Sequence, residues 1–261
     1  MEKGFYKSLF EDIPPPPPSA LGFKPSNLSA RQAEAHRLSQ LMSEKKPFCF
    51  LRMGDMDLAY LLAAQEGKLS EYQEDENRVS GTLHYGSPGI GLNYATRLQN
   101  AFTYGDYVDF HERLYPMEHW LPRLNLLRPE HLYRNPNWET SYLSLTWLEY
   151  EFKQYCEGCR VGIAGAEARL LELLTKEPSW QEAAKPFWPS QAEVYFHQIR
   201  EDGRNLDRNL DLIKEDLVQF IQHNQLDTLF LSLGVGQKFF AMNSQENRIF
   251  VLLTLAQCCG H

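Results

Sequence analysis

Two aspartates spaced two residues apart, Asp55 and Asp57, stand just beyond a short apolar run, Phe48-Cys49-Phe50-Leu51. Carboxylates at that spacing can grip a divalent cation between them or through water. Hard cations such as Mg2+ and Mn2+ want oxygen ligands and complete their shells with phosphate oxygens. Such a cation neutralises a diphosphate and makes it a better leaving group. Arg52 can add a bidentate phosphate contact, and Gly54 lets the backbone approach a ligand closely. The same aspartates also suit a helix start, Asp55 as N-cap and Asp57 in the first turn against the macrodipole. That structural reading accounts for the two carboxylates but not for Arg52 and Gly54 at a strand end.

A second candidate is Gly234-Val235-Gly236-Gln237-Lys238, entered from the apolar run Thr228 to Leu233. A strand feeding a glycine turn and a helix start offers backbone N–H groups and a positive helix end to an anion. Lys238 adds charge, and a plain tight turn is the structural alternative. The segment is neither a Walker A loop nor G-x-G-x-x-G, since Phe239 holds the last glycine position. For Gly162-Ile163-Ala164-Gly165, close helix–strand packing is the favoured reading. His84, His111 and the terminal His261 are lone histidines with base chemistry. Cys156 and Cys159 form a C-x-x-C that, with Cys258, Cys259 and His261, could hold zinc. The alternative is a set of reduced thiols.

The elements that must position these groups follow from periodicity. Ser29 to Lys45 reads as a helix with Ala33, Leu38, Leu41 and Met42 on its apolar face, and Pro47 stops it. The run at 48–51 is a buried strand, followed by a helix with Leu58, Leu61, Leu62 and Gln65 on one side, ended by Gly67. Residues 70–93 read as a long polar, glycine-rich loop. Tyr94 to Phe102 is a helix, Tyr107 to Phe110 a strand, and Thr140 to Tyr155 an apolar-aromatic helix. Arg160 to Ala164 is a strand before a helix over 166–174, Lys185 to Pro189 is another short run, and Asn205 to His223 is an amphipathic helix. Strand, glycine turn and helix recur from about 48, 160 and 228. The pattern predicts an α/β fold, Rossmann-like, with a mostly parallel sheet and helices on both faces. Ligands bind beyond the carboxyl ends of such strands, where all three glycine turns fall. Residues 1–27, with the unbroken run Pro14 to Pro18, read as an extended proline-rich arm. Residues 28–261 read as a single α/β domain.

Composition narrows the partners. With 43% hydrophobic residues the chain can bury a sizeable core, and a net charge of −8 argues against nucleic acid as the main partner. No apolar run approaches a membrane span, and Met1 to Phe10 lacks a signal-peptide core. Five cysteines make a disulfide framework improbable in a chain of 261 residues. These features place the protein in the cytoplasm; a homo-oligomer is compatible with all of them.

The order of these pieces resembles the GT-D glycosyltransferases. That family has a strand ending in Arg-Phe-Gly-Asp-Gly-Glu; here it stands as Leu51-Arg52-Met53-Gly54-Asp55-Met56-Asp57-Leu58. The family's late Gly-Pro-Thr-Ala turn corresponds to Leu233-Gly234-Val235-Gly236-Gln237, and its closing Asp-x-Gly-His to Cys258-Cys259-Gly260-His261. Phe187-Trp188-Pro189-Ser190-Gln191-Ala192 is similar to the segment before its penultimate helix. The resemblance spans about residues 47–261. It implies a divalent metal at Asp55 and Asp57, both catalytic, and a nucleoside-diphosphate sugar, a UDP-sugar foremost, as donor. Arg52, Gly54, Gly234, Gly236, Lys238 and His261 would lie around the donor phosphates, and a hydroxyl, such as one on a glycan, would accept the sugar. Asp57 replaces the family's Glu, one methylene shorter, and the Gly-Pro-Thr-Ala turn is absent. Two rivals stand beside this expectation: a phosphatase of the haloacid-dehalogenase type and a non-catalytic nucleotide- or phosphate-binding module. Leu58-Ala59 departs from the phosphatase pattern.

Overall fold

The computed structural model describes residues 28–44, 48–53, 55–80, 92–110, 123, 132–134, 143–165, 167–199 and 206–232. The chain alternates helices and strands: α1 (Leu28–Glu44), β1 (Phe50–Met53), α2 (Asp55–Gln65), α3 (Leu69–Ser80), α4 (Leu92–Tyr104), β2 (Tyr107–Phe110) and β3 (Leu132–Arg134). There follow α5 (Leu143–Tyr150), α6 (Phe152–Cys156), β4 (Arg160–Gly165), α7 (Ala168–Leu174), α8 (Pro178–Ala184), β5 (Glu193–Gln198), α9 (Leu206–Asn224) and β6 (Thr228–Ser232). Among the described residues every strand pairing is parallel. The strands form two three-stranded sheets, β1-β2-β3 and β5-β4-β6.

Side chains alternate across each strand, so an apolar run buried on both sides feeds two cores. Leu51, Met53, Ala164, Leu229 and Leu231 belong to one cluster, with residues of α2, α4 and α9. Phe50, Val161, Ile163 and Phe230 belong to the other, with Leu38 and Met42 of α1, Trp147 of α5 and Phe152 of α6. Both sheets contribute to both clusters, and helices cover both faces. Helix spacing explains the fit: Ile213, Leu217 and Ile221 recur every fourth residue on α9.

Carboxylates fasten the strand entries. Asp106 Oδ2 accepts the Cys49 N–H at 2.7 Å, while the Asp106 and Tyr107 N–H groups donate to the Cys49 carbonyl at 2.9 and 3.1 Å. The second sheet repeats the device: Asp227 Oδ2 accepts the Arg160 N–H at 2.9 Å, and the Asp227 N–H returns to the Arg160 carbonyl at 2.8 Å. Glu157 holds the turn before β5, accepting the N–H groups of Ser190 and Gln191 at 3.0 and 2.7 Å.

Among the described residues, α2 and α9 end in Schellman turns. After α2, Lys68 N–H bonds the Ala63 carbonyl and Gly67 N–H bonds that of Ala64, with Gly67 at φ +71°. After α9, Leu226 N–H bonds the Ile221 carbonyl, and Gln225 takes the left-handed position at φ +53°.

Several expectations change. The stretch 70–93 is not one loop, because α3 occupies 69–80 and α4 begins at Leu92. No glycine or proline interrupts 69–80, and the fully buried Tyr72 packs edge-on against Tyr60 at 6.1 Å, which anchors the helix. The helix expected over 140–155 is α5 and α6, bent at Glu151. Helical bonds continue through the bend, from Glu151 N–H to Trp147 and from Tyr155 N–H to Glu151. It lets Trp147 and Phe152 both meet Phe230, at 5.9 and 5.3 Å between rings. The run at 185–189 is a turn, and the strand follows it as β5. The proline-rich arm, 1–27, lies outside the described residues.

Candidate active site

β1 ends at Met53, and α2 begins at Asp55. Asp57, third in that helix, is 3% exposed and is followed by buried Leu58, Ala59 and Tyr60. A carboxylate in a first helical turn is stabilised by the N–H groups and dipole there. The structural reading of Asp57 therefore has direct support. Arg52, two residues before the turn, lies beside Asp109 in the β1–β2 register.

Asp109 was not among the residues singled out from sequence. It is fully buried, near the carboxyl end of β2, and its Oδ2 accepts the N–H of Leu143 at 2.8 Å. It thus caps the start of α5 across 34 residues of chain. An isolated Asp inside an apolar run was the available signal. The register thus sets Arg52, near the end of β1, beside Asp109 of the next strand, with Asp55 and Asp57 following in the first turn of α2.

The second rim lies in the other sheet. The chain passes from β4 to β5 on one side, then crosses back to β6 on the other. Such a reversal of strand order opens a crevice at the carboxyl ends of the strands it separates, here β4 and β6. Their last residues, Gly165 and Ser232, are register partners. A Cβ on Gly165 would stand 2.3 Å from the Ser232 carbonyl oxygen. Gly162 supports the packing reading: a Cβ there would meet Leu226 at 2.4 Å and Phe220 of α9 at 3.0 Å. The segment after β6, with Gly234, Gly236 and Lys238, lies outside the described residues, as do Gly54, His84, His111, Cys258, Cys259 and His261.

A cavity of about 770 Å³ opens at the opposite edge. Ser43 and Glu44 at the end of α1, Gly158 and Cys159 before β4, and Asp227 and Thr228 at the start of β6 line it. The end of α1 and the entries to β4 and β6 therefore meet at this cavity. His36 reaches across this cavity, Nδ1 3.3 Å from Glu151 and Nε2 3.2 Å from Gln40. It sits at strand entries rather than exits, the wrong edge for a ligand bound by strand-end turns.

Two polar groupings are accounted for by the fold. Tyr107 donates to Glu34, whose carboxylate also takes Arg37 Nε at 2.9 Å. Burial pulls the Glu34 pKa upward, but the hydrogen bonds from Arg37 and Tyr107 outweigh it and hold the group below the usual glutamate value. Burial, and then Glu34, push Tyr107 well above the usual phenol range. His197 on β5 lies 2.6 Å from Asp216 and stacks on Phe220 at 4.8 Å, clipping an edge strand to α9.

Among the described residues, no three His, Cys, Asp or Glu side chains gather as a metal site. No helix among the described residues is long and apolar enough to cross a membrane. No protein-family model matches the chain, and neither the curated proteins nor the solved structures contain a significant match to it.

Proposed function

We propose that the two sheets are halves of one Rossmann-like sheet and that the chain is a metal-dependent glycosyltransferase using a nucleoside-diphosphate sugar. The observation that carries this reading is the junction at residues 52–57, where a parallel strand runs straight into a helix with aspartates at its first and third positions. In this reading Asp55 and Asp57 hold Mn2+ or Mg2+, which would offset the diphosphate charge. Arg52 draws the donor phosphates to the strand end, and Gly234, Gly236 and Lys238 meet them from the segment after β6. His261 belongs to the same phosphate shell. The acceptor is a hydroxyl, as on a glycan. Shared apolar clusters on both faces support joining the sheets at the β1 and β6 edges.

Titration calorimetry of the full chain with UDP, GDP and other nucleoside diphosphates tests it. Heat is expected with one of them, strengthened by Mn2+ and lost in Asp55→Asn. Absence of heat with every nucleotide, at high protein concentration, refutes donor binding.

The burial of Asp57 favours a second reading, a binding module without catalysis in which Asp57 only steadies α2. Nucleotide binding that is indifferent to Mn2+ and survives Asp55→Asn would select it.

A further inference from the structure

The C-x-x-C pair has no part in the proposed transfer, and it sits in a turn of defined geometry. Cys156 closes α6, and Cys159 precedes β4. Between them Glu157 has φ −58°, ψ 128°, and Gly158 has φ +74°. The Cys159 N–H donates to the Cys156 carbonyl at 3.0 Å. These values define a type II β-turn with the cysteines at its first and fourth positions. Such a turn holds its outer Cα atoms within about 7 Å, inside the reach of a disulfide. Both thiols join one apolar cluster, Cys156 fully buried and Cys159 packed against its margin. Cys159 also lines the cavity at the strand entries, which gives reagents a path to it. The turn is held from outside, because the Glu157 carboxylate accepts the N–H groups of Ser190 and Gln191.

We propose that Cys156 and Cys159 are a redox-active pair that closes an intra-turn disulfide on reaction with a low-molecular-weight disulfide. The half-buried member, which lines the cavity, reacts first. The Cys159 thiolate attacks one sulfur of oxidised glutathione and expels one glutathione thiolate, leaving a mixed disulfide. Cys156 then gives up its proton to solvent and attacks Cys159 Sγ, expelling the second glutathione. Two protein thiols lose two electrons and two protons, and one glutathione disulfide becomes two thiols. Burial raises the Cys156 thiol well above its usual range. The second step is therefore the slow one, in contrast to C-x-x-C pairs at helix N-termini, whose thiolates the dipole favours.

The sequence supplies its own assay. Cleavage after Lys153 and Arg160 releases Gln154–Arg160, which carries both cysteines and no other. The full-length protein is incubated with oxidised glutathione, quenched in acid, alkylated and digested with trypsin. The expected product is this peptide, unalkylated and lighter by two hydrogens, returned to the dithiol by dithiothreitol. Full alkylation of both cysteines, glutathione retained on Cys159 alone, or a link to a peptide bearing Cys49, Cys258 or Cys259 overturns the proposal. Gly158→Ala tests the turn itself, because the new methyl meets no atom within 4 Å and acts through φ alone. Closure is expected to slow several-fold in this variant while the first glutathione adds at its normal rate. An unchanged closure rate refutes the role of the turn.

Discussion

Gly165→Ala probes the contact that joins β4 to β6 at the rim. The added Cβ would lie 2.3 Å from the Ser232 carbonyl oxygen and 3.0 Å from its carbonyl carbon, where ordinary contact begins near 3.4 Å. Both atoms are backbone, so no rotamer change relieves the overlap. The carboxyl end of β6 must retreat by about 1 Å, enough to forfeit about half of the attraction across that gap. Overpacking costs about 1–3 kcal/mol, and weakening a ladder hydrogen bond adds about 1 kcal/mol. The expected loss is about 2–4 kcal/mol, or roughly 5–15 °C in Tm for a domain of this size. Gly67→Ala is the control: it has a positive φ of +71° but open space around its Cβ, so only a conformational cost of about 1 kcal/mol applies. Urea titrations followed by tryptophan fluorescence, with thermal scans alongside, measure both variants. If Gly165→Ala loses no more stability than Gly67→Ala, the steric argument at the rim is wrong.

Ser39→Ala strands the buried Trp147 indole N–H, which donates to Ser39 Oγ at 2.8 Å, and is expected to cost about 1–3 kcal/mol in urea unfolding; a loss below about 0.5 kcal/mol contradicts that account. Asp109→Ala removes the acceptor for Leu143 N–H and is expected to cost about 2–4 kcal/mol, with hydrogen exchange speeding first at the start of α5; exchange unchanged there argues against the cap. Stability should fall at both pH extremes. Glu34, held low by Arg37 and Tyr107 against the pull of burial, and Glu157, held low by the Ser190 and Gln191 N–H groups, lie below the ordinary 4.5. Such groups stabilise above the unfolded value, and that stability goes as pH drops through the folded value. Burial raises Cys156 above 9.0 and Tyr107 above 10.0. Their contribution is complete below those values and is lost as pH climbs past them. Urea midpoints against pH check both limbs, and Glu34→Gln should shallow the acid limb; an identical limb would count against the Glu34 cluster.

The buried strands were legible because each is a short apolar run closed by a turn. β1, β4 and β6 lie within about two residues of where periodicity puts them, and α9 shows its stripe plainly. β5 was missed because, among the described residues, it pairs with β4 alone and is half-exposed, so Glu193, His197 and Gln198 break the apolar signal. β3 is three residues long, too short to carry a period. α3 was hidden by its polar composition, with buried Tyr72 and partly buried Leu69 as its core contacts among the described side chains. The junction at 52–57 could be read from residue types alone, and its strand–helix form is as expected. Asp109 stood out only as an acid inside an apolar run; its capping role could not be read, because its partner is the amide of Leu143, 34 residues away.

The clasps at the strand entries carry a consequence for how the chain reaches its native state. Cys49 meets Asp106 across 57 residues, and Arg160 meets Asp227 across 67. Parallel pairing over such spans closes long loops before any reward arrives, which makes acquisition of structure slow and leaves apolar segments exposed meanwhile. During synthesis β4 emerges before either of its neighbours, apolar on both sides. One flank of it then stays bare until Thr228–Ser232 has left the ribosome, so the middle strand of its sheet is the one that waits longest for its neighbours.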